Sequence, residues 1–589
     1  MRKISVILLS LVLLVAQFNI VCWAAKSLEL DTDGFYMINN ADDLYAFAKL
    51  VNSGKYEINA KLTADIVLNE NVLDENGDLN EGTFKQWHPI GDKNAYMDYT
   101  GSDGGRKNDN NTFQGVFDGQ NYTIYGLYYY LTGNDYDDTG IGLFGTLDSG
   151  TVKNLTIRDA YFETCYSSAF ICGYSMNGTI TNCAVYGTVV GKYESAGVCG
   201  IAESGGYTTI SNCNFYGKIN ATVTVGGICG RMWAGRIENC SNYGKISATG
   251  AVGGIVGTIG DKAQEESVLK SCSNYGNVAS IAGASYTTAG GIVGGTKNTK
   301  TEDCLNVGNI SAVSTGSYVN IGGICASGLG NDEFLNCLSY GKLSSESPDE
   351  RSRKGAIIGT ALKNSSSDTY FSNNYYYSAV ADVGVAQYGT SYTYEVLDSV
   401  DGVVESVSAS QLKNGTVLEA LNNSREDGPW GQEINKDPYP YITENPVEYI
   451  FSIDKTTVID YKNKVIYTER QGVTDIFEII DSYEYVGKDA ITVIPAPSFM
   501  NQQQLKLYGT EAYIYVYVNG PRTQLYRLVV YGDVDADSIV DVVDAFEVER
   551  TVNGHKELEE QRFLAADSNS DGGITVEDFQ SVVNIALST

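Results

Sequence analysis

Histidine is the scarcest residue of catalytic importance in this chain. The 589 residues include two histidines, His88 and His555. A nucleophilic triad needs a histidine base beside its serine or cysteine, so the chain has little from which to build one. Positive charge is scarce as well, with 40 Lys and Arg against 72 Asp and Glu, a net charge of −32. That balance argues against nucleic acid and anionic membrane surfaces as partners.

Long apolar runs are lacking after the N-terminus. Residues 1–24 combine a basic start, an apolar stretch and a small residue at Ala24, which is the pattern of a secretory signal peptide cut after that residue. An uncleaved anchor is the alternative, but Gln17 and Asn19 interrupt the run. We therefore expect an exported chain that is not inserted in a membrane after cleavage. Its length predicts three or four domains.

A repeated unit fills about residues 140–375, and it contains most of the cysteines. Each copy has a Gly-Ile-Cys/Val-Gly run, an Ile-x-Asn-Cys run and a Tyr-Gly-x-Ile/Val run. In the first run the cysteines share a column with larger apolar residues. We interpret the cysteines of such a column as buried apolar positions, because disulfides or metal sites would need partners fixed in pairs or fours. The column comprises Cys172, Cys199, Cys229 and Cys325 together with Phe144, Val256, Val293 and Ile358, and the second-run cysteines are Cys183, Cys213, Cys240, Cys272, Cys304 and Cys337.

Two further columns accompany the cysteines. Short strands, glycine corners and stacked identical side chains predict a β-solenoid. The repeat resembles the GLUG motif of bacterial surface and secreted proteins, and this resemblance implies a right-handed parallel β-helix. The first column predicts an asparagine ladder of Asn182, Asn212, Asn239 and Asn336, and the second holds Tyr186, Tyr216, Tyr243, Tyr275 and Tyr340, interrupted by Val307.

The flanks of the repeats predict a cap, a closing segment and a separate domain. Residues 40–54 predict an N-terminal helix with Asn40 as N-cap, apolar residues on one face and Gly54 at its end. Trp430 and residues 437–442 are expected to close the other end of a capped β-helix that spans residues 25–445. Alternating runs in residues 446–530 predict a small antiparallel β-domain, similar to the β-sandwich-type spacers that precede many docking modules.

The last 57 residues carry two loops of one pattern, which begin 34 residues apart at Asp533 and Asp567. Each loop has oxygen-bearing side chains at its first, third, fifth and twelfth residues, a spacing that suits calcium. Ser538 stands where the first loop favours glycine. The predicted ligands are Asp533, Asp535, Asp537, the Ile539 carbonyl, Asp541 and Asp544 in loop one, and Asp567, Asn569, Asp571, the Gly573 carbonyl, Thr575 and Asp578 in loop two.

Residues 531–589 resemble a type I dockerin. The resemblance implies an all-α module with two EF-hand-like loops, two bound Ca²⁺ ions and a cohesin module of a scaffoldin as partner, in a cellulosome-type assembly outside the cell. Glu549-Arg550 stands where the family often has a basic pair, and small polar pairs are missing from the loops, so the identity of the cohesin stays open. The positions that contact cohesin in that family hold Val542, Val543, Arg550, Val576 and Glu577.

The sequence leaves two functions open for the β-helix. The first is a non-catalytic module that binds polysaccharide or acts as a surface adhesin, with the tyrosine-rich segments 128–130 and 375–377 as candidate contacts. The second is a glycoside hydrolase or polysaccharide lyase with a site near the insertion 92–140. A glycosidase needs two carboxylates at a suitable separation, and no spacing distinguishes a pair, so whether the chain is an enzyme is undecided. The loop carboxylates are Asp135, Asp137, Asp138, Glu194, Glu203, Glu265 and Glu266.

Overall fold

A computed structural model of the chain describes residues 28–91, 112–131, 140–443 and 450–588, with short breaks inside some of these ranges. The predicted signal peptide lies outside them. The described part is mainly β, and parallel strands dominate it from residue 35 to residue 407. Within the described residues, no helix combines the length and the apolar character needed to cross a membrane.

The N-terminal helix has the predicted place and cap. Helix α1, Ala41–Asn52, begins after Asn40, whose side-chain oxygen accepts the N–H of Asp43 at 3.1 Å. One face of α1 is buried against the first coils, because Leu44, Phe47 and Val51 have no exposed surface. Gly54 lies just past the helix with a φ of +102°, a conformation that favours glycine. This helix covers apolar side chains that the first coil cannot cover itself.

From residue 195 to residue 346, each coil of the solenoid consists of five short strands. The coil from residue 224 to residue 248 is representative, and each of its strands pairs in parallel with the equivalent strand of the next coil. The corner after its first strand is too tight for a side chain: a Cβ on Gly226 would lie 2.1 Å from the carbonyl oxygen of Cys229. The five strands are Thr224–Gly226, Cys229–Met232, Gly235–Glu238, Ser241–Asn242 and Lys245–Ala248.

Three sheets are formed by this stacking. A ten-stranded sheet contains Phe144–Asp148, Cys172–Met176, Cys199–Ala202, Cys229–Met232, Val256–Gly260, Val293–Lys297, Cys325–Gly328, Ile358–Ala361, Val385–Gly389 and the antiparallel Tyr394–Leu397. A six-stranded sheet contains Ser195–Ala196, Thr224–Gly226, Ala251–Gly253, Thr287–Gly290, Val319–Gly322 and Arg353–Gly355. A 26-stranded sheet contains Phe35–Ile38, Asn59–Leu62, Ile66–Val67, Val116–Asp118, Thr123–Tyr125, Tyr128–Tyr130, Thr151–Glu163, Thr179–Val190, Thr208–Ser211, Asn214–Phe215, Lys218–Asn220, Gly235–Glu238, Ser241–Asn242, Lys245–Ala248, Ser267–Lys270, Ser273–Asn274, Val278–Ala282, Thr299–Glu302, Leu305–Asn306, Ile310–Ser314, Asp332–Leu335, Leu338–Ser339, Leu343–Glu346, Thr369–Ser372, Asn374–Tyr377 and Val404–Val407.

The predicted cysteine column is confirmed by the strand register. Cys199 pairs with Cys172 on one side and Cys229 on the other, and the column continues through Val256 in the next coil. All eleven cysteines between residues 165 and 337 are free thiols, and ten of them are buried. Burial raises the pKa of the Cys229 thiol, which makes it a weak nucleophile. These cysteines therefore serve as apolar core residues.

The asparagine column has another role than the predicted ladder. Asn182, Asn212 and Asn239 adopt a left-handed conformation with φ values of 52° to 54°, so they turn the corner before each cysteine. Asparagine tolerates this conformation better than most residues with a side chain. Amide bonds between corner residues are present at 3.1 Å, from Asn182 to Asn154, and at 2.8 Å, from Asn373 to Asn336.

A continuous amide ladder lies three residues after the corner positions, inside the core. The Asn242 amide donates to the side-chain oxygen of Asn274 at 2.7 Å, and Asn274 donates to that of Asn306 at 2.8 Å. All three side chains are fully buried. Each amide also donates to a glycine carbonyl of its own coil, at 3.0–3.2 Å. The ladder thus satisfies polar groups that would be costly to bury alone.

After the last coil the chain folds back along the side of the solenoid. Residues 409–442, named the strap here, contain helix α2, Ala409–Lys413, helix α3, Thr416–Asn422, and the hairpin Trp430–Gly431 with Tyr441–Ile442. The structure corrects the expectation that Trp430 and residues 437–442 close the end of the β-helix. They lie instead on the flank of the coils, where Leu412, Val417, Leu421, Trp430 and Ile442 form a buried cluster with Tyr243, Tyr275, Leu305, Leu338 and Tyr375.

The described residues between 450 and 530 form two small sheets. Ile450–Ser452 pairs with Ile480–Ser482, and a five-stranded sheet has the order Thr457–Asp460, Val465–Thr468, Thr523–Val530, Tyr513–Tyr517 and Ile491–Ile494. Its pairings are antiparallel except for Val465–Thr468 with Thr523–Val530, which is parallel. The expectation of a purely antiparallel domain is therefore wrong at this one pairing. A short 3₁₀ helix spans Ile476–Glu478.

The described residues after 530 contain three helices: α4, Val542–Val552, α5, Glu560–Ala566, and α6, Val576–Ser588. They enclose a small core of Val534, Val540, Ala545, Val548, Ala566 and Val582.

Candidate metal centre

Three carboxylates of loop one come together at the start of α4. Asp533 and Asp544 are fully buried and Asp535 is half-buried. One oxygen from each lies within 4.8 Å of the others. Asp537, Ile539 and Asp541, the remaining predicted ligands of this loop, lie outside the described residues.

The backbone of the loop is folded around Asp544. One oxygen of this side chain accepts the N–H groups of Val534 at 2.7 Å and Asp535 at 3.0 Å, which ties the first turn of α4 to the beginning of the loop. Gly532 precedes the loop with a φ of +88°, and a Cβ there would lie 2.9 Å from Val540. The loop therefore depends on glycine at this position and on carboxylate at residue 544.

This donor set fits a hard divalent cation. Three carboxylates at such short range repel one another, and burying them beside the fully buried Val534 and Val540 adds a desolvation cost. A cation bound between them would offset both effects. Oxygen ligands of this kind, in a loop that leads into a helix, match the preference of calcium.

Loop two is described in part. Asp567 and Asp578 are buried, Gly573 is half-buried and Thr575 is exposed. The N–H and hydroxyl of Thr575 both donate to one oxygen of Asp578 at 2.9 Å, which ties the end of loop two to the first turn of α6. Asn569 and Asp571 lie outside the described residues.

Four of the five residues predicted to contact a partner lie at the starts of α4 and α6, and Arg550 lies in the last turn of α4. Val543 is 46% exposed and Val576 is 67% exposed, and Glu577 is exposed as well. Arg550 on α4 is half-buried, with an ion-pair contact of 3.7 Å to Glu547. The backbone of Val542 begins α4, and its side chain lies outside the described set.

The sequence pattern misplaced one aromatic residue of this face. The apolar pattern of Phe546, Val548 and Val552 after loop one predicts that all three lie on one buried helix face, but Phe546 is 55% exposed, and the Arg550 guanidinium lies 5.9 Å from its ring centroid. Phe546 is exposed because the buried face of α4 is formed by Ala545, Val548 and Val552, which follow one another at intervals of three and four residues. That spacing would have shown Phe546 as a surface residue.

The tyrosine-rich segments of the solenoid are mainly packing residues. The rings of Tyr186, Tyr216, Tyr243 and Tyr275 stack in succession with centroids 4.4–5.1 Å apart and planes within 8° of parallel. Their faces are covered by one another and are closed to a sugar. In the two candidate segments, Tyr375 and Tyr376 are buried, and Tyr128 packs on Phe84 and Tyr161.

A group of polar and aromatic side chains lies instead on the last coils, with Lys363 and Tyr394 exposed, Arg353 and Tyr388 half-buried and Gln387 buried. We name Arg353, Lys363, Gln387, Tyr388 and Tyr394 the end patch. The Arg353 guanidinium lies 5.1 Å from the Tyr394 ring and donates to the Gln387 side-chain oxygen at 3.1 Å. The Lys363 ammonium lies 4.3 Å above the Tyr388 ring. Tyr394 is 46% exposed, and Tyr370 of the neighbouring strand segment is 59% exposed.

The loop carboxylates considered for catalysis do not form a described pair. Glu194 lies 3.9 Å from the Arg231 guanidinium, and Glu203 is 8% exposed. Glu266 is exposed at the edge of a loop. Asp135, Asp137, Asp138, Glu265 and most of the 92–140 insertion lie outside the described residues.

Comparisons with known proteins bear on the C-terminal segment. Residues 531–585 match the type I dockerin domain family. No curated protein matches the chain in sequence. Among solved structures, it is similar to the crystal structure of a Bacteroides ovatus protein described as a "putative immunoglobulin A1 protease", with 20% identity, a TM-score of 0.36, and coverage of 71% of this chain and 94% of that one.

Proposed function

We propose that this chain, whose C-terminal segment is a type I dockerin domain, is an extracellular component of a cellulosome-type assembly that attaches to a cohesin through calcium. The observation that carries the proposal is the cluster of Asp533, Asp535 and Asp544 inside the family match. Type I dockerins bind calcium, and this donor set fits that ion. In this proposal the chain consists of a signal peptide over residues 1–24, a capped β-helix over 25–445, a spacer over 446–530 and the dockerin over 531–589.

The dockerin is proposed to hold two ions, one in each loop. Asp533, Asp535, Asp537, the Ile539 carbonyl, Asp541 and Asp544 hold the first, and Asp567, Asn569, Asp571, the Gly573 carbonyl, Thr575 and Asp578 hold the second. Calcium removes the repulsion among buried carboxylates, so metal binding and folding of this module are coupled. The cohesin contacts the exposed residues Val543 and Val576 together with Val542, Arg550 and Glu577.

The test is calorimetric titration of the full chain with a panel of cohesins, in calcium and in EDTA. We expect binding in calcium and its loss in EDTA. Asp535→Asn should weaken cohesin binding by about tenfold or more, because loss of a ligand charge lowers the affinity of loop one for calcium. Asp382→Asn, an exposed carboxylate outside the dockerin, is the matched control. Binding that is equally strong in EDTA would contradict the proposal.

For the solenoid we propose polysaccharide binding at the end patch. Tyr394 presents an exposed ring, and the neighbouring Arg353 guanidinium donates to the Gln387 side-chain oxygen and to the Tyr394 hydroxyl. Sugars are recognised by this combination of aromatic faces and fixed polar groups. In this arrangement the β-helix holds a polysaccharide while the dockerin holds the scaffold.

A plant-polysaccharide panel tests this second part, with affinity electrophoresis and reducing-end release measured on the same samples. Tyr394→Ala should lower retention at least several-fold, whereas Tyr122→Ala, which removes a tyrosine 38% exposed near the N-terminal coils, should leave retention unchanged. Equal retention of both variants would refute the end patch as the binding site. Release of reducing ends would instead identify the β-helix as a hydrolase or lyase.

A further inference from the structure

The spacer contacts the first calcium loop directly. The backbone N–H of Thr510 donates to one carboxylate oxygen of Asp533 at 2.7 Å. Thr510 is fully buried, and its hydroxyl exchanges hydrogen bonds with the backbone of Val530, the last residue of the spacer sheet, at 3.1 and 3.3 Å. One of the loop's acidic ligands is therefore held by a group outside the dockerin.

A second contact joins the same two parts of the chain. Ala565 of helix α5 is fully buried against Val465 and Val529, which belong to the parallel strand pair of the spacer. The carbonyl oxygen of Ala565 also accepts the N–H of Gly532, the residue just before the loop, at 2.9 Å. Helix α5 thus anchors the beginning of loop one to the spacer sheet.

We infer that the spacer positions the first calcium ligand, so that residues 446–530 and loop one form one calcium-linked unit. This inference rests on the proposed calcium binding. The Thr510 N–H holds one carboxylate oxygen of Asp533, and this side chain belongs to the cluster with Asp535 and Asp544. In metal sites generally, a hydrogen bond to a ligating side chain fixes the orientation of that side chain. Thr510 is therefore a positioning residue for the ion.

Coupling of this kind acts in both directions. If the spacer helps to hold Asp533 for calcium, then calcium must stabilise the spacer by the same free energy. The contact also determines which surface is left for a partner. Because α5 packs on the spacer, the cohesin is left with the faces of α4 and α6 that expose Val543, Phe546 and Val576.

Hydrogen exchange of the full chain, with and without calcium, tests the inference. We expect calcium to slow exchange in Val465–Thr468 and Thr523–Val530 as well as in the dockerin. Asp535→Asn in loop one should abolish the effect in the spacer strands, and Asp578→Asn in loop two should leave most of it. Calcium binding, measured by calorimetry on the same samples, with slowed exchange confined to residues 531–588 would overturn the inference and leave the proposed docking intact. Absence of calcium binding would overturn both.

Substitution of Thr510 adds an independent measurement. Thr510→Pro removes the N–H that bonds to Asp533, and Thr510→Ala keeps it while removing the hydroxyl. We expect Thr510→Pro to weaken calcium binding about tenfold, the scale found for outer partners of metal ligands, and Thr510→Ala to remain within about threefold of the parent. Equal affinities of the two variants would overturn the positioning role.

Discussion

Replacing Arg425 by alanine should release the strap from the solenoid. The Arg425 guanidinium makes two hydrogen bonds to Asp303, at 2.7 and 2.9 Å, and the Trp430 indole N–H adds a third at 3.0 Å. Asp303 is fully buried, whereas the Arg425 side chain is 34% exposed. Without Arg425, the buried Asp303 carboxylate would keep one hydrogen-bond donor among the three contributed by the strap, the Trp430 indole N–H.

The magnitude follows from these burial values. Removing one partner of a buried ion pair costs about 3–5 kcal/mol, because the other charge stays in the interior. Since Arg425 is partly solvated, the low end of about 3 kcal/mol applies, and it should raise the opening equilibrium of the strap by roughly a hundredfold. Trp430→Phe removes a single donor and should cost about 1.5–3 kcal/mol, the range for a hydrogen bond to a charged group.

Hydrogen exchange of helices α2 and α3 is the direct assay, because these helices belong to the strap. The control is Arg351→Ala, which removes a two-fold hydrogen-bonded pair with Asp349 on an arginine that is 71% exposed. Exposed pairs contribute about 0–1 kcal/mol. If Arg425→Ala exchanges no faster in α2 and α3 than Arg351→Ala does, the account of the strap is refuted.

Three further outcomes are expected in the solenoid. Burial raises the pKa of Asp332 to about 7, so the folded chain retains a proton that the unfolded chain has lost. The free energy of unfolding should therefore fall as pH rises from 3.8 towards 7. Urea unfolding at pH 5 and pH 8 measures this fall, which should be smaller in Asp332→Asn than in the parent; an equal fall in the two proteins would contradict the assignment. Asn274→Ala should cost about 1–3 kcal/mol in thermal unfolding, because it breaks the buried amide ladder, whereas exposed Asn277→Ala should cost little; equal losses would exclude the ladder's role. Of the eleven described thiols, at most the partly exposed Cys165 should react with a thiol reagent in the native protein, and all eleven should react in guanidinium. Reaction of several thiols in the native protein would show that the cysteine columns are accessible to solvent.

The solenoid was predictable from sequence because its side chains recur at fixed positions in each coil. A column that holds Cys199, Cys229 and Val256 indicates an apolar environment whatever the three-dimensional path, and the register confirmed it. The N-terminal helix was equally local, since Asn40 and the apolar spacing lie within one segment. The carboxylates of loop one were found for the same reason, because the loop positions all come from one short stretch.

Features that depend on distant contacts were missed or misplaced. The strap depends on Asp303 and Arg425, which are 122 residues apart, and no local pattern joins them. The sequence predicts a ladder for the corner asparagines, because it does not show that their φ values are positive and that they form turns. The hydrogen bond from Thr510 to Asp533 involves a backbone group, which has no sequence signature at all. The right hand of the β-helix and the GLUG-like character of its repeats stay predictions.

The stacking of equivalent coils has a consequence for how such a chain could vary in length. Each coil pairs only with its two neighbours, so a whole coil of about 30 residues could be gained or lost without changing either end. Each such event would lengthen or shorten the rod by roughly 4.8 Å, the spacing of paired strands. The strap contacts three successive coils through Asp303, Tyr340 and Asn373, and its apolar side chains cluster with Tyr243 and Tyr275 of the two coils before them. It therefore fixes the number of coils along this stretch. Variation in reach between the N-terminal cap and the docking module is thus confined to the coils that precede the coil of Tyr243.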